Sequence, residues 1–203
     1  MAAGEVALED MIVDSDSSTE VHKISFAHYL TCDPYRASYE YGSSNEERID
    51  QYIMYVMEQE APIHIDLLCK RLAPVFGRQK ATVAVSRTIG WRLKAGLSDR
   101  IRIKEDFLYL TGQNEIKARV PGTEDDIRPI EYICPEEIED AIVSIIGFVY
   151  GLTLDDLIGE VARAFGYART GQKIREIVYQ CYSNLKRTRK LKEVDGKIYL
   201  KES

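Results

Sequence analysis

The feature that most constrains this chain is a segment that occurs twice. Residues Pro62–Gly77 align without gaps to Gly151–Gly166 at an offset of 89. Asp66/Asp155, Leu68/Leu157, Ala73/Ala162, Phe76/Phe165 and Gly77/Gly166 are identical, while Ile63/Leu152, Ile65/Leu154 and Leu72/Val161 keep their apolar character. After one inserted residue the match resumes at an offset of 90, with Arg100-Ile101 over Lys190-Leu191 and Leu108-Tyr109-Leu110 over Ile198-Tyr199-Leu200. A unit repeated within 203 residues points to two small domains rather than one large one.

Each copy has the same order of elements. In the second, Pro135 suits a first helical position and Glu136 and Glu137 suit the positive end of the helix dipole. Ile138, Ala141, Ile142, Ile145, Ile146 and Val149 then recur at helical spacing. Thr153 is a natural N-cap for a second helix with the apolar face Leu154, Leu157, Ile158, Val161 and Phe165, and Gly166 is its stop. A third helix follows through Ile174, Ile177, Val178, Cys181, Tyr182 and Leu185. Leu191–Val194 and Lys197–Leu200 flank Asp195-Gly196, a strong two-residue hairpin signal.

The first copy follows suit. Its first helix runs through Ile49, Tyr52, Ile53, Val56 and Met57, its second from about Ile65 to Phe76 and its third from about Thr82 to Leu97. Pro74 should kink the second near its last turn. Ile101–Ile103 and Phe107–Leu110 form a hairpin turning at Lys104–Asp106. Three helices followed by a hairpin give a mainly α fold with small β-hairpins, an α+β class. That order is the one expected of tandem winged-helix repeats, each a helix-turn-helix with a wing.

Around the two units (24–111 and 133–203), residues 1–23 read as a disordered acidic leader. Ile24–Tyr41 carries aromatic residues, including Tyr39, that could pack onto the first unit. Residues 112–132 have the Gly, Pro and charge content of a linker, although alternating Ile116, Ala118 and Val120 could add an edge strand. No run of apolar residues is long enough to span a membrane, and the acidic N-terminus does not resemble a signal peptide, so a cytoplasmic protein is expected. Cys32, Cys69, Cys134 and Cys181 lack metal-ligand spacing and are expected to be free thiols in the core.

The formal charge of −6 hides a sorted distribution. Residues 1–48 hold ten acids against three bases, so the remainder is slightly basic. Within it, Arg78, Lys80, Arg87, Arg92, Lys94, Arg100, Arg102 and Lys104 are opposed over residues 78–104 only by Asp99. Over residues 167–192, Arg169, Lys173, Arg175, Lys186, Arg187, Arg189, Lys190 and Lys192 are opposed only by Glu176. In a winged helix these elements meet nucleic acid, the third helix in the major groove and the wing along the phosphates. Lys80 and Arg169 are equivalent by the offset of 89. Gln172, Lys173, Arg87 and Ser86 are candidate base contacts. The competing reading is that these cations solvate exposed helix faces, and that the chain docks a protein or self-associates through its tyrosine-rich N-terminal segment and an exposed helix face. Trp91 is expected in the core, with stacking on a base as the alternative.

No catalytic constellation is evident, so the expectation is a chain that is not an enzyme and holds no cofactor or metal. An unrecognised site would need a polar pocket that the sequence does not advertise. Gly166–Lys173 approaches a phosphate-binding loop. However, Gln172 displaces the lysine, Ile174 replaces the hydroxyl, and the segment follows a helix instead of a strand. It reads as the turn into the third helix, capped by Thr170. His22, His28 and His64 are scattered, and His64 reads as a helix cap. The acidic pairs Glu136-Glu137, Asp125-Asp126 and Asp155-Asp156 read as solvated.

Tyr35-Arg36-Ala37, Glu60–Ala73, Ile133–Ile138 and Ile158–Gly171, taken in order, resemble a C-terminal domain of unknown function found in large bacterial superfamily-1 helicase-like proteins. There it follows the ATPase lobes and a restriction-endonuclease-like domain. The resemblance runs roughly from Tyr35 to Leu200. It implies a setting of DNA processing or defence and a helicase or nuclease polypeptide as partner. It supplies no functional residues, and this chain carries neither a Walker motif nor a nuclease signature.

Overall fold

The helical periodicities of both copies are realised in a computed structural model, which describes residues 3–5, 24–38 and 44–201. The chain is α+β and divides into two units. The N-terminal unit comprises Leu30–Ile116 with Glu131–Cys134. The C-terminal unit comprises the described residues up to Tyr29, Lys117–Ile130 and residues 135–201.

In the N-terminal unit α1 (Asn45–Glu60) begins with a capping box. Ser44 Oγ accepts from Glu47 N at 3.2 Å and Glu47 Oε2 accepts from Ser44 N at 2.7 Å. Strand β3 (Ile63–His64) then leads directly into α2 (Ile65–Leu72), whose N-cap is His64, its Nδ1 accepting from Asp66 N at 3.1 Å. The ring of His64 also packs edge-on against Phe107 and tilted against Tyr132. The α-helix stops at Leu72, sooner than Phe76, and continues as a 3-10 turn over Ala73–Phe76. Pro74 has no N–H to continue the α ladder, and a tighter turn accommodates it. Gly77 closes the turn at a φ of +67°.

Helix α3 (Val83–Ala95) is capped by Thr82 and buries Val85, Ile89 and Leu93. Strands β4 (Ile101–Lys104) and β5 (Phe107–Leu110) form the hairpin, and β3 joins them in the order β3-β5-β4, with Ile63 opposite Leu108.

The C-terminal unit repeats the helices and the hairpin. Helix α4 (Pro135–Phe148) buries Ile138, Ala141, Ile142, Ile145 and Ile146, and α5 (Leu154–Ala164) is capped by Thr153. Helix α6 (Gln172–Arg187) starts after Gly171, which as N-cap offers no side-chain bond; the cap is therefore Gly171 and not Thr170. Between β7 (Leu191–Val194) and β8 (Lys197–Leu200), Asp195 and Gly196 have φ of +50° and +73°, the signs a type I′ turn requires. Leu152 bridges Ile198. By the offsets of the repeat, this pairing is the counterpart of Ile63 with Leu108. The duplication thus extends to a third-strand contact that no sequence pattern announced.

Parts of the segments expected to be leader and linker, Ala3–Glu5 and Lys117–Ile130, belong to the C-terminal unit. Strand β2 (Ser25–Tyr29) pairs antiparallel with β1 (Ala3–Glu5) and parallel with β6 (Arg119–Pro121). Ile24–Tyr29 groups with the C-terminal unit and Leu30 onward with the N-terminal unit, and Ala3–Glu5 of the leader form a strand. The rest of residues 1–23, and Tyr39 to Tyr41, lie outside the described residues. Pro121 and Ile127 lie so close to Gly166 that an added Cβ would stand 3.0–3.1 Å from them.

This attachment is centred on a buried carboxylate. Glu137 accepts from Arg119 Nη2 at 2.8 Å and from Arg128 Nη1 at 2.9 Å, while Arg128 Nη2 also donates to the carbonyl of Arg119. The Arg128 guanidinium lies 3.9 Å from the centre of the Tyr29 ring. The acids at 126 and 137 are therefore not solvated. Asp126 is buried in a capping box with Thr123, and Glu137 is fully buried. Burial alone would raise the Glu137 pKa, but the two guanidiniums outweigh it and hold the carboxyl below its usual range.

None of the four cysteines forms a disulfide, and Cys69, Cys134 and Cys181 are buried. No helix among the described residues is long and apolar enough to cross a membrane.

Candidate nucleic-acid interface

The faces of a third helix are decided by which positions the core takes. On α3 the core takes Val85, Ile89, Arg92 and Leu93, so Arg87, Trp91 and Lys94 project to the opposite side. On α6 it takes Val178, Cys181, Tyr182 and Leu185, leaving Lys173, Arg175, Tyr179, Lys186 and Arg187 outside.

Not every cation in the two basic stretches is available. Arg92 turns inward: its side chain is only 10% exposed, its Nε donates to Asp50 Oδ1 at 2.7 Å and its Nη1 to Glu46 Oε2 at 3.1 Å, and Nη2 pairs with Asp50 Oδ2. It is thus neutralised by α1 and leaves the proposed contact set. The sequence signal was its position, since Arg92 falls on the apolar stripe of α3.

The Arg92 guanidinium runs past Gly96, where an added Cβ would stand 2.2 Å from Arg92 Nη2 and 2.8 Å from Asp50 Oδ2. Gly96 has an ordinary φ of −115°, so the constraint is space and not backbone freedom. Gly96→Ala is therefore expected to displace the pair and cost about 1–3 kcal/mol, as overpacking does. Thermal unfolding measures the cost, and near-UV dichroism of the lone tryptophan, at position 91, should change with it.

The remaining cations of the N-terminal unit lie on the surface. Arg78, Lys80, Arg87, Lys94, Arg100, Arg102 and Lys104 are exposed. Arg100 stands 3.8 Å from Glu58, with both side chains 54% exposed, a pair that water screens almost completely. Arg102 lies over the Tyr109 ring at 5.0 Å. Beside them a shallow cleft of about 560 Å³ opens between the starts of α2 and α3, lined among others by Asp66, Lys70, Thr82, Ser86 and Arg87.

In the basic stretch of the C-terminal unit, Arg175 and Lys186 are held by acids. Arg175 donates to Asp155 at 2.7 Å and Lys186 to Glu193 at 2.6 Å. Glu193 also accepts from the Tyr182 hydroxyl at 2.9 Å. These hydrogen bonds, that of Lys186 first, hold its carboxyl below the usual range. Arg187 donates to Asn184 Oδ1 at 2.6 Å. Arg169, Lys173, Arg189, Lys190 and Lys192 are exposed, and Arg189 sits just past α6 with a φ of +60°. Both units therefore carry exposed cations on the third helix and hairpin besides the pairs named above.

Trp91 departs from expectation in the other direction. It is 51% exposed rather than packed in the core, and Tyr179 on α6 is 52% exposed. A family model described as "Protein of unknown function (DUF3320)" matches residues 41–87, a span that covers α1, α2 and the first turn of α3. No curated protein matches the chain. No solved structure matches it either.

Proposed function

We propose that each unit is a winged-helix module and that the chain binds nucleic acid, duplex DNA foremost, through phosphate contacts from its third helices and hairpins. The observation that carries this reading is the recurrence of exposed cations on the same two elements of both copies. The helix-strand-helix-helix-hairpin order of the N-terminal unit, and the Leu152–Ile198 bridge that echoes it, support the winged-helix assignment. Arg78, Lys80, Arg87, Lys94, Arg100, Arg102, Arg169, Lys173, Arg187, Arg189, Lys190 and Lys192 form the contact set. Arg175 and Lys186 join it when their acids yield.

The setting is a DNA-processing or defence system with a helicase or nuclease polypeptide, and the chain itself acts as an accessory module without catalysis. Anisotropy of a labelled duplex at low salt tests the reading, which fails if the intact chain does not bind. A milder variant adds a gain: Glu193→Gln is expected to release Lys186 and raise affinity about two- to fivefold, in the same assay, because an anion is removed beside the phosphate track.

A second reading rests on a different observation. Phe148, Tyr150 and Leu200 are 41%, 90% and 37% exposed around the end of α4 and strand β8. Tyr150 touches the Tyr199 ring edge-on. An apolar patch of this kind suits self-association. Sedimentation that gives a dimer dissociated by Tyr150→Ser, together with indifference to DNA, would favour it.

A further inference from the structure

Trp91 and its setting point to more than phosphate binding. The side chain is half exposed on the outward face of α3, between Arg87 one turn before it and Lys94 one turn after it. Behind it the Arg92 guanidinium lies 4.9 Å from the ring centroid and is itself fastened to Asp50 and Glu46. The indole is therefore backed by a fixed planar cation, and the cations on either side of it suit a polyanion. A large exposed aromatic at the centre of a basic stripe is a poor reader of base-paired DNA, whose base faces are covered by stacking. It is a good platform for an unstacked base, which offers a π-face whatever its identity.

We infer that Trp91 stacks on an unpaired base of DNA whose backbone Arg87 and Lys94 flank, so that duplex DNA bearing unpaired nucleotides, as a fork does, is held more tightly than a blunt duplex. This rests on the nucleic-acid reading above and narrows it. Tyr179 occupies the comparable face of α6, but its neighbours Arg175 and Lys186 are already held by Asp155 and Glu193, so the inference is confined to Trp91.

Trp91 is the only tryptophan in the sequence, so its fluorescence reports this event alone. The intact chain would be titrated with a mixed-sequence single strand, a forked duplex and a blunt duplex annealed from two strands, reading probe anisotropy and tryptophan emission together. The single strand and the fork are expected to quench Trp91, and the blunt duplex is not. Trp91→Ala should weaken binding of the single strand about tenfold while leaving the blunt duplex within about twofold, and Trp91→Phe should restore most of the loss. Binding of all three probes without quenching, or equal losses on all three, would overturn the stacking role and leave the phosphate-binding reading standing. Failure of the intact chain to bind any probe would overturn that reading and the stacking role with it.

Discussion

Replacing Arg87, Lys94, Lys190 and Lys192 together by Gln is expected to weaken duplex binding on the order of a thousandfold at 0.1 M salt. Each phosphate contact releases condensed counterions and contributes a slope of about −0.9 in log K against log salt. At a tenth of the molar reference, that is a little under one decade per contact, and four such contacts compound. All four side chains are exposed. The variant should therefore unfold within a few degrees of the native chain, which separates lost binding from lost structure. Substituting an exposed cation elsewhere, Arg36 for example, should cost far less.

The largest stability effect is expected at Glu137. Its carboxylate neutralises two guanidiniums that fasten the segment after β5 to α4, and the side chain has no exposure. Glu137→Ala leaves Arg119 and Arg128 without that charge and should destabilise the C-terminal unit by about 3–5 kcal/mol, measured by denaturant unfolding. Exchanging Arg119, Glu137 and Arg128 together for apolar residues of similar volume should cost much less, because no buried charge is then left unmatched.

The pH dependence follows from the depressed Glu137 pKa. A carboxyl whose folded pKa lies below its unfolded one stabilises the fold above the unfolded value, about 4.3, and loses that contribution as pH falls through the folded value. The native chain should therefore lose stability on acidification below pH ~4, and Glu137→Gln should flatten that limb.

Much of the architecture was legible because it rests on local signals. The apolar spacing of 138, 141, 142 and 145, Thr153 before α5, and Asp195-Gly196 between two strands each specify their element without reference to distant residues. Pieces that depend on distant partners were not legible. Strand β3 is two residues long and pairs with β5 more than forty residues later, while β2 meets β6 across some ninety residues. Arg119 and Arg128 fall in the stretch read as a linker, because the carboxylate that engages them lies in another element.

One physical signal was present and missed. Glu60, Arg92 and Glu137 each stand at helical spacing from apolar positions of their own helix, with Val56, Ile89 and Ala141 respectively. Each is buried, and each is engaged by an opposite charge within its own unit. A charge on an apolar stripe marks an internal ion pair, whereas a charge on the opposite stripe remains available to a partner. Applied to α3, that distinction separates Arg92 from Arg87 and Lys94.

The measurement that bears most directly on the central claim is the salt dependence of DNA binding by the intact chain. Between 50 and 300 mM salt, log K is predicted to fall linearly with log salt, with a slope steeper than about −4, as several contacts from each third helix and hairpin require. Affinity that is indifferent to salt over this range, or no binding at its lower end, would contradict the account.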